Sequence, residues 1–148
     1  MVNMINKAGQ TAVVAIQDKS FIVTFSVPAG QDAGYVAPCT LYPYGYNKSS
    51  YSSFTVPAGS NYQLVNMGIS STPTVDGQVL INLNGIDQGE NFVLSQMVTS
   101  NSAKFNVTQP IVFTQGDVLE VSVVTTAANT ATASVTETFT MQFLQVPA

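Results

Sequence analysis

At 148 residues and a formal net charge of −4, the chain has the length of one domain and enough surface to bury a core without disulfides or a metal. Hydrophobic residues make up 45% of it, which excludes intrinsic disorder, while charged residues make up only 8%, against about 25% in an average soluble domain. With no histidine, arginine or tryptophan and a single cysteine, it lacks the parts for Ser-His-Asp or Cys-His catalysis, for an ordinary zinc site and for an intrachain disulfide.

In chain order, residues 1–10 are mixed in character and carry no apolar run of signal-peptide length. They predict an N-terminal arm on an unprocessed chain made in a cytoplasm, and residues 11–148 predict a single domain. Within that domain no helical period appears. Short β-rich runs recur at 11–17, 20–27, 35–41, 52–56, 62–69, 78–84, 91–98, 104–107, 111–114, 118–125 and 130–146, separated by turn residues. Apolar side chains fall on every second position in Phe21, Val23, Phe25 and Val27, in Val79, Ile81 and Leu83, and in Leu119, Val121 and Val123. From 130 to 143 the odd positions read Ala131, Ala133, Val135, Glu137, Phe139, Met141 and Phe143, while the even ones are Thr, Ser or Gln. A period of two asks for a strand with one dry face and one wet face. The pattern predicts an all-β fold, a single-domain antiparallel β-sandwich of jelly-roll type.

The punctuation between runs agrees. Asp18-Lys19, Asn84-Gly85 and Gln115-Gly116-Asp117 read as turns, and Gln109-Pro110 as a strand break. The stretch Phe25-Ser26-Val27-Pro28-Ala29-Gly30 recurs as Phe54-Thr55-Val56-Pro57-Ala58-Gly59. It reads as a strand leaving through a proline corner with glycine free to take a positive φ. Between 42 and 51 lie four of the six tyrosines, Tyr42, Tyr44, Tyr46 and Tyr51. Tyrosine gives large contact area at low entropic cost, so this loop suits an interface, a sugar-stacking platform, or simple cover for one end of the sandwich.

Catalytic groups are scarce. Asp87 and Glu90 flank Gly89 in one turn, which reads as solvated loop chemistry or as oxygen ligands for calcium. Asp117 and Glu120 point to opposite strand faces, and Glu137 occupies an inward slot with no second acid beside it. Cys39 reads as a small buried residue. The sequence therefore predicts no enzyme, no cofactor and no metal. Lys7, Lys19, Lys48 and Lys104 are scattered, which argues against nucleic acid and against an anionic membrane surface. A surface so poor in charge has little protection against association and predicts a subunit of a permanent assembly.

The runs Val79-Leu80-Ile81-Asn82-Leu83-Asn84-Gly85, 92–98 and 112–121 with its Gln115-Gly116-Asp117 turn resemble the jelly-roll modules of tailed-phage virion proteins, among them capsid decoration or cement proteins. The likeness spans about residues 75–146. It implies a homotrimer on the outside of a virion, bridging copies of a major capsid protein and stabilising the head. Met4 and Ile5 of the arm, with Tyr42, Tyr44, Tyr46 and Tyr51, are the residues expected at its interfaces. The strand, Gly-Asp, strand element also occurs in fibre tips and carbohydrate-binding modules, so a receptor- or sugar-binding head is the alternative.

Overall fold

The computed structural model describes residues 17–89, 92–98 and 105–148, with backbone alone for 105–110. Its strands are β1 (Gln17–Val27), β2 (Val36–Pro38), β3 (Thr40–Tyr42), β4 (Phe54–Thr55), β5 (Ser60–Gly68), β6 (Gly77–Leu83), β7 (Ile86–Asp87), β8 (Phe92–Val93), β9 (Phe105–Phe113), β10 (Val118–Thr125) and β11 (Val135–Pro147). They pair antiparallel into two sheets. The first runs β3–β1–β11–β5–β9. The second runs β2–β10–β6–β7, with β4 on β10 and β8 on β6. The chain passes repeatedly from one sheet to the other, and its outermost described strands, β1 and β11, pair in the middle of the first sheet. The fold is an all-β sandwich of two antiparallel sheets.

The alternating residues meet between the sheets. Phe21, Val23, Phe25 and Val27 of β1 and Phe139, Met141 and Phe143 of β11 line one inner face. Val79 and Ile81 of β6 and Leu119, Val121 and Val123 of β10 line the other. Each such side chain contributes roughly 1.5–3 kcal/mol by leaving water. Gly77 opens β6 where the backbones crowd: a Cβ there would overlap Val123 Cγ1 and lie 3.0 Å from the Val124 carbonyl.

Pairing overrides one turn signal and moves several strand bounds. Asp18 and Lys19 lie inside β1, because its ladder with β11 runs unbroken from Gln17↔Gln145 to Val27↔Val135. Pro110 lies inside β9, an edge strand, but the ladder with β5 breaks register there: Ile111 pairs with Leu64 and Asn106 with Asn66, and the residues between, Pro110 among them, have no partner in that register. The run at 35–41 is two strands: Cys39 N–H donates to Val121 O (3.0 Å) in the second sheet, and Thr40 then pairs with Thr24 in the first. The run at 91–98 holds a single 3-10 turn, Leu94–Met97, that buries Leu94 and Met97 on one side. Residues 131–134 form a bend, so the last strand starts at Val135.

Three turn readings hold as drawn: Gln115-Gly116-Asp117 joins β9 to β10, with Asp117 N–H donating to Thr114 O at 3.0 Å. Asn84 and Gly85 take φ of 52° and 82° between β6 and β7, the left-handed pair that a tight hairpin requires. The repeated Pro-Ala-Gly corners close alike: Gln31 N–H donates to Pro28 O and Ser60 N–H to Pro57 O, each at 3.3 Å, with Gly30 at φ 69° and Gly59 at 83°. One corner ends β1 in the first sheet and the other follows β4 in the second, so the repeat marks the same turn used twice.

Candidate functional site

Two surfaces break the pattern of a sandwich built to face water. The first surrounds the tyrosine loop. Outward residues of β1 pair with outward residues of β11: Ile22 with Thr140, Thr24 with Thr138 and Ser26 with Thr136. On the other side of β1, Thr40 pairs with Thr24 and Tyr42 with Ile22. The loop after β3 turns at Gly45, φ 94°, and is closed by reciprocal backbone bonds between Leu41 and Tyr51 of 2.7 and 2.8 Å. That turn folds Tyr46 back over the outer face of the first sheet. Its ring lies 4.9 Å from Tyr42 in an edge contact, and its hydroxyl donates to Thr138 Oγ1 at 3.3 Å.

The other two tyrosines of the loop go elsewhere. Tyr51 bridges inward-facing Leu41 and sets its ring edge-on to Phe54, 6.2 Å away, at the margin between the sheets. Tyr44 lies near Tyr62, whose hydroxyl is pushed above its ordinary range by burial and then by the Tyr44 phenol. The four loop tyrosines therefore form two pairs of surroundings rather than one platform. Tyr44 and Tyr46 are the most open, at 51% and 54% exposure. Met4 and Ile5 lie outside the described residues.

The second surface was not picked out from the sequence. On the outer face of the second sheet, register sets Val36, Val124, Gln78 and Val93 in one row and Pro38, Ser122 and Leu80 in the next. Val36 is 56% exposed. Glu120, Asn82 and Asp87 follow in a third row, so the acids sit at one end. The signal was present in Val79-Leu80-Ile81 and Val123-Val124, where apolar residues occupy the wet phase as well as the dry one.

Four of the described carboxylates, Asp76, Asp87, Asp117 and Glu137, bond the backbone. Asp117 accepts from Asn84 Nδ2 (2.9 Å), Thr114 N–H (2.8 Å) and Thr114 Oγ1 (3.0 Å), while Asn84 Oδ1 accepts from Val118 N–H (2.8 Å). Asp76 Oδ1 accepts from the N–H groups of Gly77 and Ser95, both at 2.9 Å, and ties the 3-10 turn to β6. Asp87 accepts from Gly89 N–H at 3.0 Å, and Glu90 lies outside the described residues. Glu137 is half-buried, and its carboxylate accepts from Val75 N–H at 3.3 Å. Burial pushes the Cys39 thiol up to about 12, which keeps it protonated and unreactive. Surface hollows of about 190 Å³ at Gln145 and about 430 Å³ at Pro57 gather no titratable side chains.

Asp117 and Glu137 titrate with opposite signs. The Asn84 and Thr114 donors hold Asp117 below its usual 3.8, so its stabilisation is present above that value and is lost as pH falls through the folded-state pKa. Burial raises Glu137 above 4.5, against the Val75 and Thr74 amides and with the Asp76 charge. The fold thus favours the protonated acid, and stability declines as pH rises through the folded-state pKa. Asp117→Asn is expected to lower the melting temperature at neutral pH and Glu137→Gln to raise it, and both differences should shrink in acid. Circular dichroism melts at pH 3 and pH 7 check this; an Asp117→Asn chain as stable as the parent at pH 7 contradicts it.

No protein-family model matches the chain, and no curated protein matches it either. The fold defines an all-β sandwich and no narrower class.

Proposed function

We propose that this chain is a structural virion protein, a decoration subunit that trimerises on the outside of a viral head and bridges neighbouring capsid proteins without catalysing a reaction. The observation that carries this reading is the apolar outer face of the second sheet. An antiparallel sheet facing water is polar on its wet side, yet Val36, Pro38, Leu80, Val93 and Val124 fill two neighbouring rows there, with the uncharged Gln78 and Ser122 between them. The scarcity of charge works the same way: the acids of that face, Glu120 and Asp87, sit together in the row at one end and leave the two apolar rows uncharged. Trimer stoichiometry and the viral setting come from the resemblance of residues 75–146 to virion jelly-roll modules.

Leu80→Glu tests it. Leu80 is half-exposed and points away from the core, so the variant is expected to keep its melting temperature while losing self-association and attachment to capsids. Sedimentation velocity and co-sedimentation with empty heads of the cognate virus read both. A parent chain that stays monomeric and ignores those heads removes the proposal.

A further inference from the structure

We propose that Tyr42, Tyr46 and the threonines beside them form an open platform that binds an uncharged polysaccharide, a function separate from assembly. The ring of Tyr46 is held at both ends, by the 4.9 Å edge contact from Tyr42 and by the 3.3 Å hydrogen bond to Thr138. Rings fixed so firmly are ordinarily enclosed, but Tyr46 is 54% exposed. A pyranose ring presents an apolar C–H face that packs on an aromatic face. A ring already immobilised loses little further freedom when it does so.

The surroundings supply the second half of sugar recognition. Thr40, Thr24 and Thr138 are cross-strand neighbours on three adjacent strands, and Thr140 follows Thr138 two residues along β11. Their spacing is ~4.8 Å between strands and ~6.8 Å along one strand. A threonine hydroxyl can donate and accept, as sugar hydroxyls do; Thr140 Oγ1 spends its donor on Gly68 O (3.2 Å) and keeps its acceptor sites, and Thr138 Oγ1 accepts from Tyr46 and keeps its donor. None of these six residues is charged.

Charge selects the class of polymer. A uronate or sialate carboxylate is best held by a bidentate guanidinium, and the chain has no arginine. Lys48 is the single cation of the loop. The platform lies open on the outer face of the first sheet, so it contacts one side of its ligand. That favours an extended polymer over a free monosaccharide and gives weak affinity at each site.

Affinity electrophoresis of the full chain in gels containing xyloglucan, glucomannan or dextran, against polygalacturonate and alginate, tests the proposal. Retardation is expected in at least one neutral polymer and in neither acidic one. Tyr46→Ala should weaken it by about tenfold, the scale of one lost aromatic contact. Tyr46→Phe keeps the ring and loses only its tether to Thr138, so it should weaken binding less. Tyr44→Ala, exposed but outside the platform, should leave binding unchanged. Thermal melts confirm that each variant is folded. No retardation in any neutral polymer, retardation unaffected by Tyr46→Ala, or stronger retardation in the acidic gels overturns the assignment. Self-association and capsid attachment are read separately, so this platform can fail while the assembly proposal stands, and the reverse.

Discussion

Phe143→Ala is expected to cost about 3–5 kcal/mol of folding stability, read as a lower denaturation midpoint at unchanged slope. Phe143 is fully buried on β11 and meets Phe21 of β1 at 4.7 Å, Tyr62 of β5 at 5.9 Å and Phe113 of β9 at 6.2 Å. It thus touches the strands on both sides of its own and one strand beyond. Phe21 and Tyr62 in turn pack on Phe54 of β4, at 5.0 and 5.6 Å, which carries the cluster across to the second sheet. The cost of a truncation depends on whether neighbours can collapse into the space. Here the neighbours are rings wedged against one another from both sheets, so the hole stays open and the loss falls high in the range. Met141→Leu, two residues along the same inner face, conserves volume and is expected to cost less than about 1.5 kcal/mol. Equal losses for the two would mean that the aromatic cluster is not what closes the sandwich.

The inner half of this fold was legible because a strand between two sheets has only one way to satisfy its alternating residues. Phe21, Val23 and Phe25 cannot be placed as a helix, and Leu119, Val121 and Val123 cannot face water together. What could not be read were choices made by partners. Cys39 looks like the middle of a strand but is the junction of two, and that its two sides belong to different sheets depends on Val121 on one flank and Thr24 on the other. Asp18-Lys19 carries a local turn signal that a long ladder overrules, while at Pro110 the strand continues but its register with β5 shifts. Residues 131–134 imitate strand alternation with alanine and threonine, yet Ala131 and Ala133 are exposed and buy no burial there. The tyrosine loop was legible as a surface feature. Its division was not, because the turn at Gly45 resets the parity of the residues beyond it. The apolar outer face of the second sheet is the opposite case: Leu80 and Val124 stood in plain view and drew no notice beside the inward set.

The bend at 131–134 leads to the second large effect. Asn129→Ala is expected to destabilise the protein by about 2–4 kcal/mol although the side chain belongs to no strand and contributes no apolar area. Asn129 is 1% exposed. Its amide donates to Val27 O (3.1 Å), Pro28 O (3.0 Å) and Ala133 O (3.2 Å), and its Oδ1 accepts from Ala131 N–H at 3.0 Å. Its own N–H donates to Gln31 O at 2.8 Å. One residue thereby fastens the crossing from β10 to β11 onto the Pro28 corner that ends β1, and so fixes where β11 begins. Alanine would leave the Val27 carbonyl, which sits at the buried end of that contact, without this donor, and the penalty for an unmet buried group exceeds the gain from an average hydrogen bond. Asn129→Asp separates this account from simple loss of volume. Aspartate has the same shape but no donor, and its charge would face three carbonyl oxygens, so at neutral pH it should destabilise at least as much as alanine. In acid the protonated carboxyl regains one donor, and its melting temperature should recover relative to Asn129→Ala. An Asn129→Asp chain that matches the parent at pH 7 would mean that the amide's donors do not hold this corner.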